Sequence, residues 1–207
     1  MGAYMKNRTI LPNIYLVCLL LIMYLPILIV IIYSFNDSSQ TTIWGGYTLS
    51  WYHKLFKNWN LMESLKNSLI LGVLSSLAAG VIGTIGAVGM ARVHFKSKGI
   101  IEYISTLPIM IPEIILGMVF MVFFSMLSLP FGMLTLVIAH ISFCIPYVFM
   151  MVKSRLVGMD KSYVEAARDL GASEQRAFFD ITMPLISPAV ISGMLLSFAM
   201  SLDDVVI

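Results

Sequence analysis

Residues 165–185 read EAARDLGASEQRAFFDITMPL, a polar and nearly charge-balanced run set between long apolar ones. Ser162 with Glu165 three residues on has the capping-box pattern, and Gly171 can supply the left-handed residue that ends the helix begun at Tyr163. Ser173 can cap a second short helix to about Thr182, before Pro184 opens an apolar one. A helix–turn–helix hairpin over residues 162–183 is the result. Helices of about two turns are marginal in water, so the hairpin needs a surface on which to bury Ala166, Ala167 and Leu170. That surface is either the bilayer and the neighbouring helices, or a groove in a soluble partner that small side chains allow a helix to enter. Phe178 and Phe179 add bulk toward the membrane.

Around this hairpin the chain is 59% hydrophobic and 12% charged, with a mean hydropathy of +0.91 over 207 residues. A soluble domain could not carry that composition without exposing large apolar areas, so an all-α polytopic membrane protein is expected. The formal charge of +2 gives no reason to expect nucleic acid as a partner. Cys18 and Cys144 lie inside apolar runs without metal-ligand spacing and read as small hydrophobes.

Five spans are expected, at about Ile14–Phe35, Leu65–Ala91, Ile100–Met126, Leu134–Val152 and Pro184–Leu202. The first follows the basic residues Lys6 and Arg8, but no small-residue cleavage site succeeds it, so it reads as an uncleaved span. Span three carries Pro108, Pro112 and Glu113 and is expected to be kinked or to line a cavity. Span two has two rows of small residues, Gly72–Ser76–Gly80 and Ala79–Gly83–Ala87–Ala91, which predict close packing against protein. Val205–Val206–Ile207 begins a further apolar stretch, and a sixth span lost by truncation is expected.

The basic residues orient the set. Lys6, Arg8, Arg92, Lys96, Lys98, Lys153, Arg155, Lys161, Arg168 and Arg176 fall on one side, leaving Lys54, Lys57 and Lys66 near the other. The first side, with the N-terminus and the hairpin, is therefore expected to be cytoplasmic. The outer segment 36–64 holds Trp44, Tyr47, Trp51, Tyr52 and Trp59, which read as an interfacial belt or as an aromatic cage for a cation.

The pattern Glu165–Ala166–Ala167, three residues, Gly171, nine residues, Ile181, one residue, a hydrophobic residue and Pro184 resembles the EAA loop of the integral-membrane permease subunits of ABC importers. Met183 stands where that family usually has leucine. The basic N-terminus, LPIMIPEIILG in span three and SLDD after span five extend the resemblance, over essentially the whole chain, to the permeases of spermidine/putrescine importers. It implies the type I ABC importer permease (MetI-like) fold, as a single transmembrane domain over 1–207 in a bacterial cell inner membrane. It also implies that Glu165, Ala166, Ala167, Gly171, Ile181 and Pro184 couple to an ATP-binding subunit. The implied partners are an ABC ATPase dimer that binds ATP and Mg, a second homologous permease, an extracytoplasmic polyamine-binding protein and membrane lipid.

The chain has no GxxxxGK[ST] phosphate loop, so no catalytic, cofactor or metal site is expected in it, and its share of transport is mechanical. Ionisable residues inside a membrane are costly unless paired or wet, which makes Glu113, Asp203 and Asp204 the candidate substrate pathway. Separated carboxylates suit a flexible chain of ammonium groups. Each acid also has a structural alternative, Glu113 as a partner of another span and the aspartates as caps at a helix break. His140 reads as an interhelical hydrogen-bonding group or a proton relay. Lys96 and Lys98 serve topology and can pair with Glu102. The rival functions are a permease of the same fold for iron, thiamine or an oxyanion, a gradient-driven transporter or channel, and a non-transporting scaffold subunit.

Overall fold

The computed structural model describes residues 2–40, 42–93, 96–160 and 162–204, with backbone only for 2–11. Lys161, the stretch Val205–Ile207 and the side chains of Lys6 and Arg8 lie outside the described residues. The helices are α1 (Gly2–Tyr33), α2 (Ser50–Lys57), α3 (Trp59–Arg92), α4 (Lys98–Met110), α5 (Glu113–Met126), α6 (Met133–Val157), α7 (Ser162–Asp169), α8 (Glu174–Ala177) and α9 (Met183–Asp203). Among the described residues, four helical stretches are long and apolar enough to cross a membrane: Pro12–Tyr33, Trp59–Arg92, Met133–Val157 and Glu174–Asp203; the bent pair α4–α5 makes a fifth if counted as one span. Internal packing divides into two compact units, residues 1–64 and 65–207.

In the first unit, Asn36 organises the segment after α1. Its side-chain amide donates to the Ile43 carbonyl at 2.7 Å, and its Oδ1 accepts from the Gly45 amide at 2.7 Å. Trp51 Nε1 donates to the Asn36 carbonyl at 2.8 Å, Tyr52 bonds Ser34 at 2.7 Å, and Tyr47 stacks on Phe35 with centroids 5.1 Å apart. These aromatics thus fold their own segment as well as presenting apolar rings. The Trp51 face is taken by the neighbouring Lys54, 4.3 Å from the centroid.

In the second unit, α6 and α9 pack along a register that repeats every four residues on each. His140 Nδ1 meets Ser201 Oγ at 2.8 Å. One turn on, Cys144 Sγ donates to the Ser197 carbonyl at 3.5 Å and Ser197 Oγ to the Cys144 carbonyl at 3.2 Å. One turn further, Gly193 faces Val148, and a Cβ at Gly193 would lie 2.9 Å from Val148 Cα. His140 therefore makes the interhelical bond expected of it, and Cys144 is a buried packing group. The small-residue row Gly193–Ser197–Ser201 was as legible in the sequence as those of α3, and it lies at the contact of α9 with α6.

The small face of α3 meets the same core. Gly72, Ser76, Ala79, Gly80, Gly83 and Ala87 are buried, whereas Ala91 at the end of its row is exposed. A Cβ on Gly83 would stand 2.9 Å from Val148 Cβ and 3.1 Å from the Ile145 carbonyl oxygen. Val148 is thus the point where three helices converge, and the opposite α3 face (Val73, Leu77, Val81, Ile85) stays exposed. Overpacking such a contact costs roughly 1–3 kcal/mol, whereas an interhelical hydrogen bond in a membrane protein is worth about 0.6 kcal/mol. Gly193→Val is accordingly expected to lower the unfolding midpoint of the detergent-solubilised chain well beyond Ser197→Ala, as read by thermal unfolding.

Two sequence expectations change here. Span three, expected to be kinked or to line a cavity, is two helices bent by 107° across Ile111 and Pro112, a sharper break than a kink within one helix, and residues of both helices line cavities. Ile111 precedes a proline, which disfavours the helical region, and its φ of −85° and ψ of 130° are extended. Pro184, likewise, does not open a separate span. α8 runs through a π-helical turn, Phe178–Thr182, directly into α9, and the Met183 amide donates back to the Phe178 carbonyl. Proline has no amide proton and its ring crowds the carbonyl four residues back; the wider turn accommodates both without ending the helix. Pro188 frees the Pro184 carbonyl in turn, and Ser187 Oγ bonds it at 2.9 Å.

Candidate functional site

The hairpin is built as its sequence suggests, with one change at its start. The Ser162 amide donates to Asp160 Oδ1 at 2.9 Å, so Asp160 is the capping side chain and Ser162 is the first helical residue. This bond holds the fully exposed Asp160 carboxyl below its ordinary range, and the Ser162 hydroxyl adds to the effect.

Gly171 has φ +86°, its amide donates to the Arg168 carbonyl at 2.9 Å, and the Ala172 amide donates to the Ala167 carbonyl at 3.0 Å. That pair of bonds is a Schellman end, which requires the left-handed residue. Ser173 Oγ then accepts from the Arg176 amide at 3.3 Å and starts α8.

The surface that the hairpin presents is uncovered. Leu170 is 90% exposed, Glu165, Ala166 and Gly171 are exposed, and Ala167 is half-buried. The burial expected for Ala166 and Leu170 is therefore not supplied by the described residues. Ile181 and Pro184 sit apart from that face, in and just after the π turn, with Ile181 half-buried and Pro184 exposed. The side turned toward the spans is fixed instead by Ala177 and Thr182, both buried.

At the same end of this unit the basic residues gather. A cavity of about 620 Å³ is lined among others by Arg92, Lys98, Glu102, Lys153, Arg168 and Glu174. Lys153 Nζ lies 2.8 Å from Glu102 Oε2, so Glu102 pairs across to α6 where the sequence offers Lys96 and Lys98. Arg155 Nε donates to the Leu185 carbonyl at 3.0 Å.

The three candidate acids occupy helix ends. Glu113 lies at the break within the bent pair α4–α5, as the exposed first residue of α5, where the helix dipole favours an anion. Asp203 is the exposed last residue of α9, and the half-buried Asp204 leaves the helix with extended backbone. An acid at a helix C-terminus opposes the dipole, so local helix energetics do not account for the aspartate pair. His140, Cys144 and Tyr147 line one stripe of α6 at helical spacing.

Residues 79–207 match the family described as the binding-protein-dependent transport system inner membrane component. The chain belongs to this family. It is also 40% identical to the putrescine transport system permease protein PotI of Escherichia coli K12, over 89% of this chain and 68% of that protein. The spermidine/putrescine transport system permease protein PotC of the same strain is 40% identical, with 89% and 70% covered. PotC of Haemophilus influenzae is 35% identical, with 97% and 78% covered. The chain is therefore a multi-pass permease subunit of an ABC importer with the MetI-like helical fold. The exposed face of the hairpin is the feature that the packing of the described residues does not account for.

Proposed function

We propose that this permease moves spermidine or putrescine into the cytoplasm by alternating access, driven by a separate ATPase that docks on the hairpin of residues 162–183. The observation that carries the docking half is the uncovered face of a rigidly capped hairpin: a Schellman turn fixes its shape while Leu170, Ala166 and Glu165 remain exposed. An amphipathic hairpin of this length gains its stability from a surface, and a groove on a partner supplies one. Glu165, Ala166, Ala167 and Gly171 form the contact; Ile181 and Pro184 act behind it, in the turn that leads into α9. The basic residues gathered beside the hairpin support a cytoplasmic side for it, and Lys6 and Arg8 in the sequence support the same side for the N-terminus.

The cargo half is supported by Asp203, Asp204 and Glu113 and by what the relatives are named for. Carboxylates placed at separated helix ends replace water around successive ammonium groups of a polyamine, and they repel an oxyanion. A second homologous permease, an ATPase dimer binding ATP and Mg, and an extracytoplasmic binding protein complete the machine. Uptake in proteoliposomes holding the complete complex is the test. Labelled spermidine or putrescine should enter only with ATP inside the ATPase-facing compartment, and unlabelled polyamine should compete where sulfate, thiamine or ferric iron does not. Uptake driven by an ion gradient without ATP, or competition by the anion alone, contradicts the proposal.

A further inference from the structure

The hairpin runs covalently into α9 through the π turn, so a push on α7 reaches α9 through the backbone. No such continuity links it to α3, whose last residue is Arg92. Arg92 supplies a different link. Its Nη1 lies 3.3 Å from Oε1 of Glu174, the first residue of α8, and its guanidinium carbon lies 5.1 Å from the centre of the Phe178 ring in the π turn. Arg92 sits at a helix C-terminus and Glu174 at a helix N-terminus, the ends at which each charge is favoured. The contact thus joins α3 to α8 and to the turn that bends ahead of Pro184.

Resting on the docking reading above, we propose that Arg92 is a positioning residue that passes the hairpin's displacement to α3 as well as to α9. The ion pair is open to solvent, with side chains 42% and 71% exposed, so it adds little to folding stability. Its worth lies in register: when the hairpin shifts, the end of α3 shifts with it, and the Gly83 contact carries that motion to Val148, where α6 and α9 already meet. Arg92 otherwise reads from the sequence as one more charge setting topology.

The test uses the complete importer with Arg92→Glu, Glu174→Arg and the charge-exchanged double variant. Three readouts are taken: ATPase co-purification, ATP hydrolysis and polyamine taken up per ATP. Each single variant is expected to keep the ATPase bound and to lose roughly fivefold or more in uptake per ATP. The double variant should recover to within about twofold, a restoration that a merely structural role would not produce. Unchanged uptake per ATP in Arg92→Glu, or a loss that the double variant fails to restore, overturns the link while leaving the docking reading intact. A wild-type complex that holds no ATPase at the hairpin removes both.

Discussion

Gly171→Glu abolishes uptake and releases the ATPase while the chain still inserts and its spans still pack. The glycine adopts φ +86°, in the region that costs an ordinary L-residue roughly 1–2 kcal/mol. A Cβ there meets nothing within 4 Å, so the chain itself has room and the spans feel no clash. The damage falls on the turn, which holds two helices too short to stand alone, and on the exposed face beside Leu170, where a bulky anion lies in the way of close seating. Gly171→Asn separates these causes, since asparagine tolerates the left-handed region better than other side chains. It should retain more ATPase than Gly171→Glu. Co-purification and transport assays on membranes with matched amounts of each variant read the difference, and normal uptake by Gly171→Glu would remove the turn from the coupling element.

Asp203→Asn should lower polyamine uptake about tenfold or more while changing complex assembly by less than about twofold. Removing the charge takes away a charge-assisted hydrogen bond to an ammonium, worth around 1.5–3 kcal/mol, and keeps the shape of the side chain. Asp203 is exposed at the end of α9, and the packing of α9 on α6 is borne by Ser201, Ser197 and Gly193, which the change leaves alone. Asp204 is half-buried where α9 ends, so Asp204→Asn should lower assembly as well. Equal losses of uptake and assembly in Asp203→Asn would make that aspartate structural. Labelled-polyamine uptake normalised to the amount of assembled complex distinguishes the two outcomes.

What the sequence made legible followed from residues with a single strong preference. Gly171 could end a helix and does, Ser173 could begin one and does, and the two small rows of α3 form a packing face as far as Ala87. Proline was harder to read. A lone Pro112 reads as a kink, but its restriction on Ile111 sets two helices 107° apart, whereas Pro184 is absorbed by a wider turn and breaks nothing. The difference lies in the neighbouring hydrogen bonds, which a sequence does not display.

Ion pairing was misread for a similar reason. Glu102 is nearest in sequence to Lys98, yet Lys153 reaches it from α6, because helix ends from distant parts of the chain meet at one level. The Gly193–Ser197–Ser201 row carried the same signal as the rows in α3 and locates the contact of α9 with α6. Of the candidate site, the hairpin was readable because its turn chemistry is local. The placement of Glu113 and Asp204 at helix ends was not, since it depends on the break after Pro112 and on where α9 stops.

Site-specific crosslinking at the tip of the hairpin measures the central claim most directly. Leu170→Cys places a thiol at the most exposed large side chain of the hairpin, and the native Cys144 is buried. With Cys18→Ser as background, a bifunctional reagent should join residue 170 to the ATPase subunit in inside-out membranes, with a yield that changes when ATP is added. Crosslinking to lipid-facing partners alone, or labelling of residue 170 by an impermeant reagent applied outside intact cells, would contradict a hairpin that takes up force from the ATPase.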